Sequence, residues 1–339
     1  MENRNLAEAK AKKNDEFYTQ YKDIEEEIKA YLSHNPNVFK NKIVLCPCDD
    51  PVWSNFTKYF VRNFTTLKLK KLISTSHAFQ NNKGRYFVFS ADDVSSCEPD
   101  INHLKWEYLK GDGDFRSDEI KKFRDEADIV VTNPPFSMYK NFISWLIEGG
   151  KQFLVIANKN SITYKEVFPL IMGGKMWSGS RSWSGGMWFE TNDSCDVDKV
   201  VNGINMKNVS STWFTNIEHD RRHKPLNLMT MADNIKFSKH KIVREKGYQK
   251  YDNYDAIEVP YTDAIPVDYN GIMGVPISFL EKYCPEQFEI IGATESEGKG
   301  FSNGLWDNKS GVAQPLLNGK RIYKRFFIRT RDRKGANYG

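Results

Sequence analysis

The stretch DIVVTNPPF at 128–136 decides the fold. Ile129, Val130 and Val131 are three consecutive apolar residues, the pattern of a strand buried on both faces of a parallel sheet. They run directly into Asn133-Pro134-Pro135-Phe136. Neither proline has an N–H, so the hydrogen-bond ladder stops and the chain leaves the sheet there. In open α/β sheets, ligands bind at that carboxyl edge. The tetrapeptide therefore sets an amide, rigid backbone carbonyls and an aromatic ring at a candidate site.

Outward from this strand, apolar runs and helical periodicities alternate. Upstream, 43–46 and 71–74 read as strands, and 85–90 and 106–109 as further strands, the first of these in a hairpin. A helix is predicted from 15 or 19 to 32, with Ile24, Ile28, Tyr31 and Leu32 at helical spacing. Others are predicted over 51–64, with proline at the start and Val52, Phe56, Tyr59, Phe60 and Phe64 on its apolar face, and over 117–125. Downstream, 137–148 reads as a helix stopped by Gly149-Gly150, 153–157 as a buried strand, and 161–172 as a helix. This alternation predicts an α/β fold with a doubly wound sheet. After residue 174 the texture changes to KMWSGSRSWSGGMWF, rich in Trp, Ser and Gly. Residues 211–217 read as a strand, one arm of a hairpin at the end of the sheet. Beyond 220 the chain is basic, aromatic and rich in loops.

The chemistry of NPPF fits methylation of an amino group. An exocyclic amine such as adenine N6 is a poor nucleophile, because its lone pair is delocalised into the ring. Two acceptors gripping its hydrogens favour sp3 character and free the lone pair. The Asn133 side-chain oxygen and the Pro134 carbonyl supply two such acceptors, and the fixed φ of proline pre-organises them. Phe136 can stack on the base. A strand followed by a Pro-Pro turn with a buried Phe is the alternative reading of the same residues.

Composition sets the bounds. The chain has 339 residues, 40% of them apolar, with a formal net charge of +5. That is enough for one large domain or two. The N-terminal residues MENRNLAEAKAKKNDE lack an apolar core, so no secretory signal is expected and the localisation expected is cytoplasmic. No apolar run approaches the roughly 18 residues of a membrane span. Cys46, Cys48, Cys97, Cys195 and Cys284 have no zinc-site spacing, so no metal is expected and the thiols read as reduced. Residues 1–150 carry 22 Lys+Arg against 23 Asp+Glu, whereas 151–339 carry 27 against 21. The basic charge concentrates in 221–250 and 301–339, each with 9 basic and 2 acidic residues. Two basic segments attached to a neutral half are the footprint of a nucleic-acid surface, and solvated loops are the alternative.

The ordered motifs resemble the EcoRI-type adenine-specific DNA methyltransferase family. They are NDEFYTQYKDIE at 14–25, LCPCDDPVWSNFTKYF at 45–60, GDGDFRS at 111–117, DIVVTNPPFS at 128–137, FLVIANKNSITYKEVF at 153–168, WFTNI at 213–217, KYDNYDAIEV at 250–259 and PVDYNGIMGVPISFLEKYCPEQFEIIG at 266–292. The resemblance implies a Rossmann-like class I methyltransferase sheet, S-adenosylmethionine as cofactor and a C-terminal DNA-recognition region. It implies Asn133, Pro134, Pro135 and Phe136 as the catalytic motif. It assigns Phe17, Tyr18 and Thr19 to the methionine end of the cofactor, and Asp112 or Asp114 to its adenine amino group. Asp114 is favoured because Phe115 follows and its ring can stack on adenine. Methyltransferases at large carry a Gly-rich loop after the first strand. Here that place reads Cys46-Pro47-Cys48-Asp49-Asp50-Pro51, which leaves open whether Asp49 or Asp50 faces the cofactor amine and which one caps the following helix. The second strand ends at Ser74-Thr75-Ser76, without an acidic residue for a ribose.

The expected activity is methyl transfer to adenine N6 in double-stranded DNA, with the target base flipped out. Residues 1–14 read as a flexible arm, 15–219 as the cofactor-binding catalytic domain and 220–339 as the target-recognition region. Arg221, Arg222, Lys224, Lys320, Arg321, Lys324 and Arg325 are the candidate phosphate-binding residues. A monomer is expected, with a cognate endonuclease acting separately. Methylation of RNA or of a protein glutamine by the same type of site is one alternative. A non-catalytic DNA-binding protein is the other.

Overall fold

The computed structural model describes residues 18–78, 83–94, 104–191, 197–295 and 300–331. The arm at 1–14 and Phe17 lie outside them, as do Cys97 and Cys195. The chain forms two compact units, Met1–Ser161 with Met176–His219, and Ile162–Lys175 with Asp220–Gly339. No helix among the described residues is long and apolar enough to cross a membrane.

In chain order the first unit contains β1 (Tyr18–Thr19), α1 (Tyr21–His34), β2 (Ile43–Cys46), α2 (Asn55–Arg62), α3 (Phe64–Leu67), β3 (Lys71–Ser76), β4 (Arg85–Ser90) and β5 (Glu107–Tyr108). It continues with α4 (Asp118–Glu126), β6 (Ile129–Thr132), α5 (Tyr139–Glu148), β7 (Gln152–Asn158), β8 (Trp177–Ser178), β9 (Met187–Glu190), β10 (Lys199–Val201), β11 (Ile204–Val209) and β12 (Ser211–Thr215). The central sheet has the order β5-β4-β3-β2-β6-β7-β12-β8. β3, β2, β6 and β7 run parallel, and the flanking pairs β3–β4, β4–β5, β7–β12 and β12–β8 are antiparallel. This is a mixed α/β fold whose central sheet is consistent with a Rossmann-like methyltransferase. Alternate strand residues point to one face. Val44, Ile129, Val131, Leu154 and Ile156 join Ile24 and Ile28 of α1 and Phe56 and Phe60 of α2 in one apolar cluster. α4 packs on β2, and α5 on β7. A second sheet, β1-β9-β11-β10, holds the Tyr18-Thr19 segment against Phe189 and Glu190.

Two helices differ from the sequence expectation. The helix predicted over 51–64 starts only at Asn55, where the Ser54 hydroxyl caps it by accepting from Phe56 N–H at 3.1 Å. The Asp50 carboxylate accepts from Val52 N–H at 2.8 Å and ties 50–52 into an Asx turn, which competes with helix. Val52 and Trp53 are therefore exposed rather than on the apolar face. The helix predicted over 161–172 is a 3-10 turn at Lys159–Thr163 and a five-residue helix, α6 (Phe168–Met172). Pro169 lacks the N–H that a longer helix would need and sits in the first turn, where none is needed.

The second unit adds to α6 the helices α7 (Met231–Phe237) and α8 (Lys241–Lys246) and the strands β13 (Ile257–Glu258), β14 (Met273–Pro276), β15 (Phe288–Ala293), β16 (Leu316–Leu317), β17 (Lys320–Arg321) and β18 (Arg325–Thr330). Its sheet has the order β13-β14-β18-β15, and β16–β17 form a separate hairpin. Phe168 of α6 lies against Phe301 and Phe326, with ring centres 4.9 and 5.8 Å apart.

Candidate active site

The first unit gathers the predicted site residues at one edge of the sheet. β2 lies between β3 and β6, so the chain order reverses there, and ligands in such sheets bind beyond the carboxyl ends at that reversal. The loop Cys46–Asp50 leaves β2 and Asn133 leaves β6 at this point. The hydroxyl-rich end of β3 anchors the loop. Thr75 Oγ1 donates to the Pro47 carbonyl at 3.0 Å, Ser74 Oγ to the Asp49 carbonyl at 2.6 Å, and Asp49 N–H to the Thr75 carbonyl at 2.8 Å. The residues that lack a ribose-binding acid thus hold the loop instead.

Asp49 and Asp50 have different surroundings. Asp49 is buried and bridges the crevice. Its Oδ1 accepts from Ser54 Oγ at 2.7 Å and its Oδ2 from Thr132 Oγ1 at 2.6 Å. One carboxylate therefore ties the start of α2 to the residue before Asn133. Burial raises its pKa to about 7, opposed by the hydrogen bonds from Thr132 and Ser54 and reinforced by the charge of Asp50. Asp50 closes the Asx turn with one oxygen and lies 3.5 Å from the Arg85 guanidinium with the other. Neither carboxylate is the helix cap. Ser54 is, and Asp49 orients it. Ser54 and Thr132 are absent from the residues expected on sequence grounds. A serine just before an apolar helical face is the available signal for the first, whereas Thr132 becomes informative only once β2 and β6 are neighbours.

The Cys46 side chain lies wholly in the apolar cluster, where burial pushes its thiol well above the usual range. Cys46, expected among the cofactor-binding residues, therefore has only its backbone left to face a ligand. Tyr18 packs edge-on against Trp53 at 4.7 Å. The Thr19 carbonyl accepts from Asn55 Nδ2 at 2.8 Å, and its own hydroxyl oxygen is buried with no hydrogen-bond partner among the described residues.

The GDGDF turn sits against the end of β3. Gly113 has φ +83°, and a Cβ there would overlap the Ser76 carbonyl oxygen, so only glycine fits. Ala78 N–H donates to the Asp112 carbonyl at 2.7 Å. The Asp112 carboxylate accepts from Asp114 N–H at 3.0 Å and faces His77 at 3.7 Å. Asp114 accepts from Arg116 Nε at 3.0 Å and from Arg116 N–H at 2.8 Å, and this pairing lowers its pKa. The other Asp114 oxygen accepts from Arg116 Nε at 3.1 Å and from Arg116 Nη2 at 2.5 Å, so the guanidinium covers both carboxylate oxygens. Phe115 is a correction. Its ring is 4% exposed and lies edge-on to Phe142 at 5.1 Å and Trp145 at 5.7 Å. It fills the core beside α5 and offers no face to an adenine.

Within the tetrapeptide Asn133–Phe136, Pro134 is buried, and Asn133, Pro135 and Phe136 are half-buried. A 3-10 turn at Phe136–Met138 follows. The Phe136 ring meets Phe189 of β9 at 6.4 Å, edge to face. Through β9 the tetrapeptide is thus connected to Tyr18-Thr19 on β1, whose partners are Glu190 and Phe189. Expected cofactor and substrate residues converge on one edge of one unit.

The basic candidates all lie in the second unit, in two different states. Arg325 forms a two-pronged ion pair with Glu258, at 3.0 and 2.7 Å, with its side chain 11% exposed. Arg221 pairs with Glu281. To meet a phosphate, either guanidinium would have to give up its carboxylate partner. Lys324 donates to Thr163 Oγ1 at 3.0 Å, and Arg222 is half-buried. Lys224, Lys320 and Arg321 are exposed, the last two on the β16–β17 hairpin.

The chain is similar to known proteins along most of its length. The family model described as adenine-specific methyltransferase EcoRI matches residues 5–331. The Type II methyltransferase M.EcoRI of Escherichia coli is 41% identical, over 97% of both chains. M.MgeORF184P of Mycoplasma genitalium is 34% identical over 95% of this chain and 97% of its own. M.MpnI of Mycoplasma pneumoniae is 36% identical over 84% and 83%. No solved structure matches.

Proposed function

We propose a residue-level mechanism for this chain, which belongs to the EcoRI-type adenine-specific methyltransferase family. The protein is a site-specific DNA adenine-N6 methyltransferase with S-adenosylmethionine as methyl donor and double-stranded DNA as substrate. The residues present fit that donor. The buried Thr19 hydroxyl lacks a partner among the described residues, and the Asp49, Asp50, Asp112 and Asp114 carboxylates surround the carboxyl edge of the sheet. Tyr18 and Thr19 would hold the methionine end, and Asp114 the adenine amino group. S-adenosylmethionine supplies an activated methyl group on a sulfonium.

The observation that carries the mechanism is the Asp49 bridge from Ser54 to Thr132, which fixes the cofactor loop and the start of the catalytic turn to each other. Asn133 Oδ1 and the Pro134 carbonyl accept the two N6 hydrogens of the flipped adenine and free its lone pair. Phe136, braced by Phe189, would stack on the base and hold its N6 beside the methyl donor. The second unit, with Lys224, Lys320 and Arg321 exposed, reads the target duplex and grips its phosphates. The enzyme acts as a monomer in the cytoplasm and protects DNA from a separate cognate endonuclease.

Sequencing host DNA for N6-methyladenine, with and without this protein, tests the reading. Methylation at one short recognition sequence is expected. The same pattern from Asn133→Ala would overturn the assignment of the tetrapeptide.

A further inference from the structure

The small sheet of the first unit ends in an element that the mechanism above does not use. β10 and β11 form a hairpin around Asn202-Gly203, with φ of 52° and 79°. That left-handed pair is what the tight type I′ turn requires, and its twist matches that of the flanking strands. Three β-branched aliphatics surround the turn. Val200 is 61% exposed, Val201 43% and Ile204 45%. Successive strand residues point to opposite faces. Val200 and Val201 are both exposed, so the tip projects clear of the body on both faces. β10 is also an edge strand, where charges normally discourage pairing, and here it reads Lys199-Val200-Val201. The Lys199 ammonium sits over the Trp188 ring at 3.6 Å, and Lys207 is paired with Asp198 at 3.3 Å.

The hairpin is continuous with the site. Lys207 of β11 pairs with Phe189 of β9, which pairs with Thr19 of β1 and touches Phe136. Ile204 lies three residues from that row, about 10 Å along the strand at roughly 3.4 Å per residue. That is about three base-pair steps of a duplex. An enzyme that extrudes a base must hold open a stack that would otherwise reclose. Rigid aliphatic side chains inserted between base steps are one way to do this, and χ1 of Val and Ile is stiff.

We propose that the 199–209 hairpin is a DNA-inserting finger, whose tip residues Val200, Val201 and Ile204 enter the duplex beside the target adenine and keep it unstacked. The proposal rests on the assignment of NPPF to the flipped base. Its partner is the substrate DNA, because the finger is borne by the same three-stranded row as the wall of that site.

The test uses the full chain and a short duplex with its mapped methylation sequence, with 2-aminopurine at the target position for fluorescence and adenine for methylation. Val200→Ser combined with Ile204→Ser changes only exposed side chains. It is expected to lower the fluorescence rise on binding about tenfold, the response to a modest change in a base-opening equilibrium. Cofactor affinity by calorimetry stays unchanged. Val200→Leu with Ile204→Leu keeps the rise. With the target adenine opposite an abasic site, unstacking costs least, and methylation by the Ser variant recovers. Wild-type behaviour of the Ser variant on the intact duplex would overturn the finger. So would equal slowing on both duplexes, the mark of a structural role. Loss of a wild-type dimer in sedimentation, with unstacking intact, would make the tip a self-association edge instead. A wild type that gives no fluorescence rise would overturn base flipping itself, and the finger with it.

Discussion

On the proposed mechanism Asn133 acts on the amine being methylated, so Asn133→Ala should cut turnover by about 10²-fold or more and leave S-adenosylmethionine binding nearly intact in a calorimetric titration. Asp114→Ala has the opposite signature, a loss of roughly 1–3 kcal/mol in cofactor affinity, as when a buried donor loses its acceptor. Asp49 supplies a pH dependence. Its folded pKa, about 7, lies above the usual carboxylate value, so the protonated form is favoured on folding. The contribution to stability is present at low pH and is lost as pH rises through about 7. A cationic ligand nearby favours the carboxylate. Cofactor binding just below pH 7 should therefore release protons, read as a buffer-dependent binding heat, and identical heats in all buffers would remove Asp49 from the cofactor's surroundings. The carboxyl-end position of Asn133 was legible because two prolines must end a strand. The roles of Ser54 and Thr132 were not, since a single hydroxyl shows its purpose only when its acceptor is 83 or 5 residues away in sequence and adjacent in space.

At the level of elements, glycine geometry gives the clearest expectation. Gly113→Ala would place a methyl group into the Ser76 carbonyl at a positive φ. The cost should be about 1–3 kcal/mol or more, seen as a lower unfolding midpoint together with weaker cofactor binding. Gly111→Ala, where only the Glu119 carboxylate comes within 4 Å, should be far milder. The parallel strands β2, β6 and β7 could be read from the sequence because each contains an unbroken apolar run. The helix over 51–64 is shorter than its apolar spacing suggests, because Val52 and Phe56 share a helical interval that the Asp50 turn then breaks. The β1-β9-β11-β10 sheet left almost no trace in the sequence. Its strands pair across a Trp- and Gly-rich stretch with no regular alternation. Buried carboxylates hold that stretch in place. Glu27 of α1 accepts from Ser180 N–H at 2.6 Å and Arg181 N–H at 3.0 Å, a pairing between residues more than 150 apart that no local pattern announces.

For the whole molecule, salt dependence separates the two kinds of basic residue. Neutralising Lys224, Lys320 and Arg321 should flatten the log–log salt slope of DNA binding by roughly 0.9 for each phosphate left without its cation. Arg325→Ala should act on stability instead, at about 3–5 kcal/mol, because it strands the Glu258 carboxylate in a buried site. A flattened slope and unchanged unfolding midpoint in Arg325→Ala would reverse that division. Charge segregation between the halves was visible in the composition, but the ion pairs of Arg221 and Arg325 required the folded second unit. The path of the chain has a consequence for how the protein is made. Residues 162–175 leave the ribosome between two parts of the first unit, yet belong to the second. Phe168 must wait for Phe301 and Phe326, synthesised well over a hundred residues later, before its ring is covered. Translation therefore produces an almost complete catalytic unit with an unsatisfied insert. A fragment ending at residue 219 would lack both of these partner rings. Exchange of the second unit between relatives would have to carry two separate pieces of gene, with first-unit sequence in between.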